Sequence, residues 1–114
     1  MIYDPLGGAF SETAFRTIAW RDRFLVIGFA SGPTPAIPLN LPLLKDVSIV
    51  GVFWGSHTER EPEQHRREVA EMMDWMARGK LRPLISRRYT LDQVPEAMND
   101  IASRTVMGKV VVTP

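Results

Sequence analysis

Two apolar runs that each break at glycine constrain this chain more than any other feature. Phe24-Leu25-Val26-Ile27 stops at Gly28, and Val47 to Trp54, interrupted by Gly51, stops at Gly55. Continuous rather than alternating apolar runs are typical of parallel strands covered on both faces, and parallel strands need a crossover connection between them. Ligands of an open parallel sheet sit outside the carboxyl ends of its strands. Glycine beside aromatic residues at both ends, in Gly28-Phe29-Ala30 and Val52-Phe53-Trp54, therefore predicts a flat ring lying close to the backbone, as a nucleotide cofactor would.

The segments around these runs supply the crossovers. Met1-Ile2-Tyr3-Asp4 reads as the end of a strand, since Pro5 and Gly7-Gly8 force an immediate turn. A strand that starts at residue 1 is expected to be cut short, with apolar surface left bare beside Ile2 and Tyr3. From Ala9 to Trp20 the residues Phe10, Ala14, Phe15, Ile18 and Ala19 recur at helical spacing, which predicts an amphipathic helix. Four prolines between Ser31 and Asp46 leave room only for a short helical turn over Asn40 to Lys45. A longer helix is predicted to start at Pro62, to carry Val69, Met72, Met73 and Met76 on one face, and to stop at Gly79. Glu63 with Arg67 and Asp74 with Arg78 are spaced for ion pairs along it. Leu84 to Tyr89 reads as a strand, and Lys109 to Thr113 as another. The helix between them carries Val94, Ala97, Met98 and Ile101, and either Thr90 with Gln93 or Asp92 caps it.

Composition removes several functions. The chain has 114 residues, enough for one core, and its net charge of +1 provides no field for nucleic acid. It has no cysteine, and its two histidines, His57 and His65, fit no metal spacing, so no metal site is expected. No apolar run approaches the about 20 residues needed to cross a bilayer, and no export signal opens the chain. We expect no membrane partner and a cytoplasmic location.

Asp4-Pro5 before Gly7-Gly8, Arg23 to Ala30, Pro38-Leu39-Asn40, Val50 to Gly55, Gly79 to Pro83 and Gly108 to Val111 follow one another in an order that resembles the zinc-independent quinone oxidoreductases of the medium-chain dehydrogenase/reductase superfamily. The resemblance covers nearly the whole chain and corresponds to the last third of such an enzyme. It implies an α/β fold: a partial Rossmann-type parallel sheet of three strands with flanking helices, then a strand-helix-strand tail. Residues 1–80 would be the second half of a dinucleotide-binding domain, and residues 81–114 the return segment of the catalytic domain. The implied cofactor is NADPH, and the implied substrate a small quinone or enone. No G-x-G-x-x-G turn occurs in the chain, so no cradle for the pyrophosphate is expected, and the isolated chain is expected to bind NADPH weakly and to be inactive.

The resemblance also nominates residues. Gly28, Phe29, Ala30, Val52, Phe53 and Trp54 match positions near the nicotinamide, although glycine can be a simple turn and aromatics simple core. Arg104 matches a cofactor-side position, or is a cation favoured at a helix C-terminus. No residue stands out as a catalytic acid or base. Asp4 is expected to hold the turn before Gly7-Gly8, Lys109 to lie at the edge of the barrel-like domain, His57 to lie solvated in a loop, and His65, Arg66 and Arg67 to form a charged surface. Val47 to Trp54 is expected at the sheet edge, pairing with its copy in a homodimer, because an apolar edge strand demands a partner. The other reading is a non-catalytic domain that self-associates or binds a partner protein.

Overall fold

The first three extended segments pair side by side and in the same direction. In the computed structural model, which describes all residues from Met1 to Pro114, β1 (Ile2–Asp4), β2 (Arg23–Val26) and β3 (Ser48–Gly51) form a parallel sheet in that order. Ile2, Phe24 and Ile49 lie in register across it, as do Tyr3, Leu25 and Val50. This sheet belongs to one compact unit, Met1–Pro62; a second unit spans Glu63–Pro114.

Helix α1 (Ala9–Arg16) makes the crossover from β1 to β2, and the short α2 (Asn40–Lys45) precedes β3. Their inward residues build the core: Phe15, Ile18, Phe24 and Leu41 are buried together, with Ile2, Val26 and Val47 packed around them. The rings of Phe15 and Phe24 meet at 5.2 Å. Burial of each such side chain contributes roughly 1.5–3 kcal/mol. Both helices lie on the Phe24 face of the sheet. Within this unit the opposite face is bare, with Tyr3 63% exposed and Val50 38% exposed, so the expected cover on both faces is absent there.

Three expectations need correction in this unit. Helix α1 ends at Arg16, not Trp20, because the chain tightens there: the amides of Thr17 and Ile18 donate three residues back, to Ala14 and Phe15. Lys45 Nζ then takes the carbonyls of Arg16 and Ile18 at 2.5 and 2.9 Å. Phe10 is 69% exposed while Ser11 is fully buried, because Asp4 draws the Ser11 hydroxyl inward. Finally, β3 ends at Gly51. The Val52 amide still finds the Val26 carbonyl at 2.9 Å, but beyond it the Gly28 amide, which strand alternation would aim at β3, donates instead to the Asp4 carbonyl of β1 at 3.4 Å, beside that of Ile27. With no neighbour to pair against, the run becomes an unexpected helix, α3 (Trp54–Arg60), which holds His57 in a helix rather than a loop.

The second unit contains α4 (Pro62–Ala77) from its second residue on, β4 (Ile85–Thr90), α5 (Val94–Ala102) and β5 (Lys109–Thr113), with β4 and β5 parallel. Pro62 opens α4 as expected. Beyond its end the Lys80 amide returns to Trp75 and that of Gly79 to Met76, closing the helix over Gly79. Asp74 pairs with Arg78 at 2.8 Å, whereas Glu63 pairs with Arg66, and Arg67 turns to Gln64. Between β4 and α5 the Thr90–Gln93 cap forms and Asp92 is not the cap, since it lies within the turn. Thr90 and Gln93 form the capping box of a single 3-10 turn, Leu91–Gln93, and that turn lets Pro95 fall at the start of α5, where a missing amide is harmless. Tyr89 and Ala97 are buried, and the Asp100 carboxylate accepts hydrogen bonds from Tyr89 and Arg87, tying α5 to β4.

Candidate functional site

The carboxyl ends of β2 and β3 open into a cleft of about 440 Å³. One wall is Val26 to Phe29 and the other Gly51 to Phe53. The parallel pairing brings them together, since Val26 lies opposite Gly51 in register. Of the sequence candidates, Gly28, Phe29, Val52 and Phe53 line this cleft. Ala30 and Trp54 follow immediately in the chain without lining it, and Trp54 is the first residue of α3, its ring 5.3 Å from that of His57. Val26, Ile27 and Gly51 complete the lining; the sequence signal for them was the strand end itself.

The lining is apolar throughout and offers no acid or base. What it offers is a slot between two backbones flanked by rings, with Phe53 79% exposed and Phe29 44% exposed. A Cβ at Gly28 would meet only the Pro5 carbonyl, at 3.5 Å, and one at Gly51 would meet nothing within 4 Å. Internal packing thus requires glycine at neither position.

The Gly28 wall is fastened to the turn after β1. The Asp4 carbonyl accepts the amides of Ile27 and Gly28 at 3.0 and 3.4 Å, that of Pro5 accepts Ala30 at 3.1 Å, and that of Leu6 accepts Ser31 at 2.9 Å. The Asp4 side chain holds this turn as expected: Oδ1 accepts the amides of Leu6 and Gly7, each at 3.0 Å, and Oδ2 accepts the Ser11 hydroxyl at 2.5 Å. Burial works against its charge, but the bonds from Ser11, Gly7 and Leu6 outweigh it and hold the carboxyl below the usual carboxylate range.

A smaller cleft of about 240 Å³ lies on the covered face, between Phe24, Val26 and Ile49 of the sheet and the loop residues Thr34, Pro35 and Ile37. Arg104 lies in the second unit. It follows α5 with φ of 58° and lines a cleft of about 420 Å³ together with Ile101, Val106 and Lys109. No three His, Asp or Glu side chains gather to hold a metal ion. No helix is long and apolar enough to cross a membrane.

The family model described as zinc-binding dehydrogenase matches residues 1–112. The chain belongs to that family. It corresponds to a C-terminal, quinone oxidoreductase-like region of the medium-chain dehydrogenase/reductase superfamily. Quinone oxidoreductase-like protein 2 homolog of Nematostella vectensis is 38% identical to it over 113 residues, covering 98% of this chain and 31% of the relative. Quinone oxidoreductase-like protein 2 of Bos taurus is 30% identical, over 99% of this chain and 32% of its own length. The chain thus spans about a third of these curated relatives. Among solved structures, a mycobacterial protein complexed with NADPH superposes with a TM-score of 0.79 at 25% identity, over 98% of this chain and 34% of that one. A mycobacterial quinone oxidoreductase gives a TM-score of 0.77 at 25% identity, with the same coverage of 98% and 34%. The sheet, crossovers and helices described above are those of a Rossmann-like α/β domain of this superfamily.

Proposed function

We propose that the cleft between Gly28-Phe29 and Val52-Phe53 is the nicotinamide-side wall of an NADPH-dependent, zinc-independent quinone or enone oxidoreductase. The observation that carries this reading is an apolar slot at the carboxyl ends of two parallel strands, bordered by two glycines that the packing does not require. Such glycines leave room for a flat ring to approach the backbone, which fits a nicotinamide. When bound, the reduced cofactor supplies a hydride to the acceptor. The chain's own residues exclude water and orient the ring, and catalysis through them is positional.

The names of similar proteins support the reading. The mycobacterial relative is described as complexed with NADPH, and the curated relatives are described as quinone oxidoreductase-like. In this proposal residues 1–80 belong to a nucleotide-binding domain and residues 81–114 to a catalytic domain. Ala30 and Trp54 support the rims of the slot, Arg104 lies on the cofactor side, and the protein works in the cytoplasm as a homodimer joined through β3.

The chain contains no glycine-rich pyrophosphate turn, so the slot grips one end of the cofactor only. Titrating NADPH against the purified chain, followed by amide chemical shifts, is expected to move Gly28 to Ala30 and Val52 to Phe53 with a dissociation constant of the order of 1 mM, equivalent to about 4 kcal/mol. Gly28→Val is expected to abolish those shifts while β2 and β3 remain paired. Shifts confined to other residues would defeat the reading, and a micromolar constant would defeat the claim of one-ended binding.

A further inference from the structure

The turn between β1 and α1 does not line the proposed ring slot, yet it is built against the back of one wall. Four amides of the segment that leaves β2, from Ile27, Gly28, Ala30 and Ser31, donate to the carbonyls of Asp4, Pro5 and Leu6. The Ser31 hydroxyl adds a second bond to the Leu6 carbonyl at 2.8 Å, and the Gly8 amide returns one to Pro33 at 3.0 Å. The fit is close as well as bonded. A Cβ at Gly7 would stand 2.8 Å from Phe29 Cδ1 and 3.3 Å from its Cα, and one at Gly8 would stand 2.4 Å from Ser31 Oγ. Gly7 and Gly8 both have positive φ, 69° and 65°, so only glycine passes here without strain.

One side chain gathers the turn that carries those three carbonyls. Asp4 uses Oδ1 to gather the Leu6 and Gly7 amides and Oδ2 to hold Ser11, which is fully buried on α1. A buried hydroxyl and two turn amides thus converge on a single carboxylate, and hydrogen bonds to a charged acceptor are stronger than neutral ones. The Ser31 bonds to Leu6 and the Gly8 bond to Pro33 hold the same segment against the wall, and Asp4 holds it from within the turn.

We propose that Asp4, backed by Ser11, is a positioning residue that holds Gly28-Phe29-Ala30 in the geometry that receives a flat ring. This rests on the ring slot proposed above and adds the device that keeps its wall in place. Asp4 acts through the turn and touches no reacting atom.

Amide hydrogen exchange and NADPH-induced amide shifts, measured on the 114-residue chain and on Asp4→Ala, Asp4→Asn and Ser11→Ala, test it. In Asp4→Ala, exchange at Ile27, Gly28, Ala30 and Ser31 is expected to rise at least about tenfold, the loss anticipated for bonds to a charged group. The Val52 amide, bonded to Val26 across the neighbouring strand pair, serves as the internal control and should stay unchanged. Asp4→Asn keeps the Oδ1 acceptor and should remain within about threefold of the parent, while Ser11→Ala should fall between the two. NADPH-induced shifts at Gly28 to Ala30 should weaken in the same order. If Asp4→Ala does not fold, the contrast between Ser11→Ala and Asp4→Asn carries the test. Exchange that rises no more at the four amides than at Val52 would overturn the role, as would faster exchange with NADPH-induced shifts unaltered. Absence of NADPH-induced shifts in every variant, parent included, would instead overturn the ring slot, and the positioning role with it. Those two failures differ in whether the parent chain responds to NADPH.

Discussion

Asp4 shows how a single residue can carry more structure than its place in a turn suggests. Its carboxyl is held below the usual carboxylate range, against burial, by the Ser11 hydroxyl and the Gly7 and Leu6 amides. A group whose acidity is greater folded than unfolded stabilises the fold at pH above its unfolded value, and that contribution is lost as pH falls through the folded value. With the ordinary carboxyl value at 3.8, the loss belongs to the range at and below pH 4. Urea unfolding followed between pH 6 and pH 3 is therefore expected to show a falling midpoint in the parent chain and a flatter acid limb in Asp4→Asn. Equal slopes would contradict the assignment to Asp4, although Asp22 and Asp100, whose values are also lowered, leave some slope in both. The turn role of Asp4 was legible in the sequence because aspartate before Pro and Gly-Gly is a recognised turn pattern. Its grip on Ser11 was not, because helical periodicity ranks Phe10 as core and serine as surface and does not register a carboxylate seven residues away.

At the scale of elements, local chemistry predicted starts and stops well where a strong residue stands at the boundary. Pro62 opens α4, Lys109 opens β5, and α2 occupies Asn40–Lys45 within its proline-bounded loop. Boundaries failed where a neighbour decides them. β3 stops at Gly51 because β2 turns to β1 after Val26, and α3 forms from residues with no side-chain cap and no buried side chain. Two outcomes belong here. Gln93→Ala removes half of the capping box after β4 and is expected to lower the stability of the second unit by about 1 kcal/mol, read from its unfolding midpoint. The edge of β3 tests the proposed dimer. Ser48 and Val52 donate to β2, so by strand alternation the amides of Ile49 and Gly51 face the free edge. Light scattering should report a dimer for the parent and the 12.9 kDa monomer for Ile49→Pro, since proline blocks that edge without breaking the β2 ladder. A parent chain that is already monomeric would remove the dimer from the proposed function.

For the whole molecule, the distribution of apolar surface is the telling property. Tyr3, Val50 and Phe53 are exposed in the first unit, and Met73, Met76 and Met98 in the second. A chain spanning about a third of its curated relatives, with slot residues but no pyrophosphate turn, is expected to leave NADPH unoxidised above background when a quinone is added. Loss of the reduced-nicotinamide absorbance at a quinone-dependent rate would refute that.

By itself the amino-acid order determined the succession of strands and helices apart from α3, the parallel sheet of the first three strands, and the strand end at which Gly28-Phe29 stands, because periodicity, proline and glycine act over a few residues. Only the tertiary structure decided where β3 gives way to α3, which face of the sheet α1 and α2 cover, and that the Asp4 turn braces the Gly28 wall. Those outcomes depend on hydrogen-bond partners some twenty or more residues apart, whose positions exist only once the sheet has assembled.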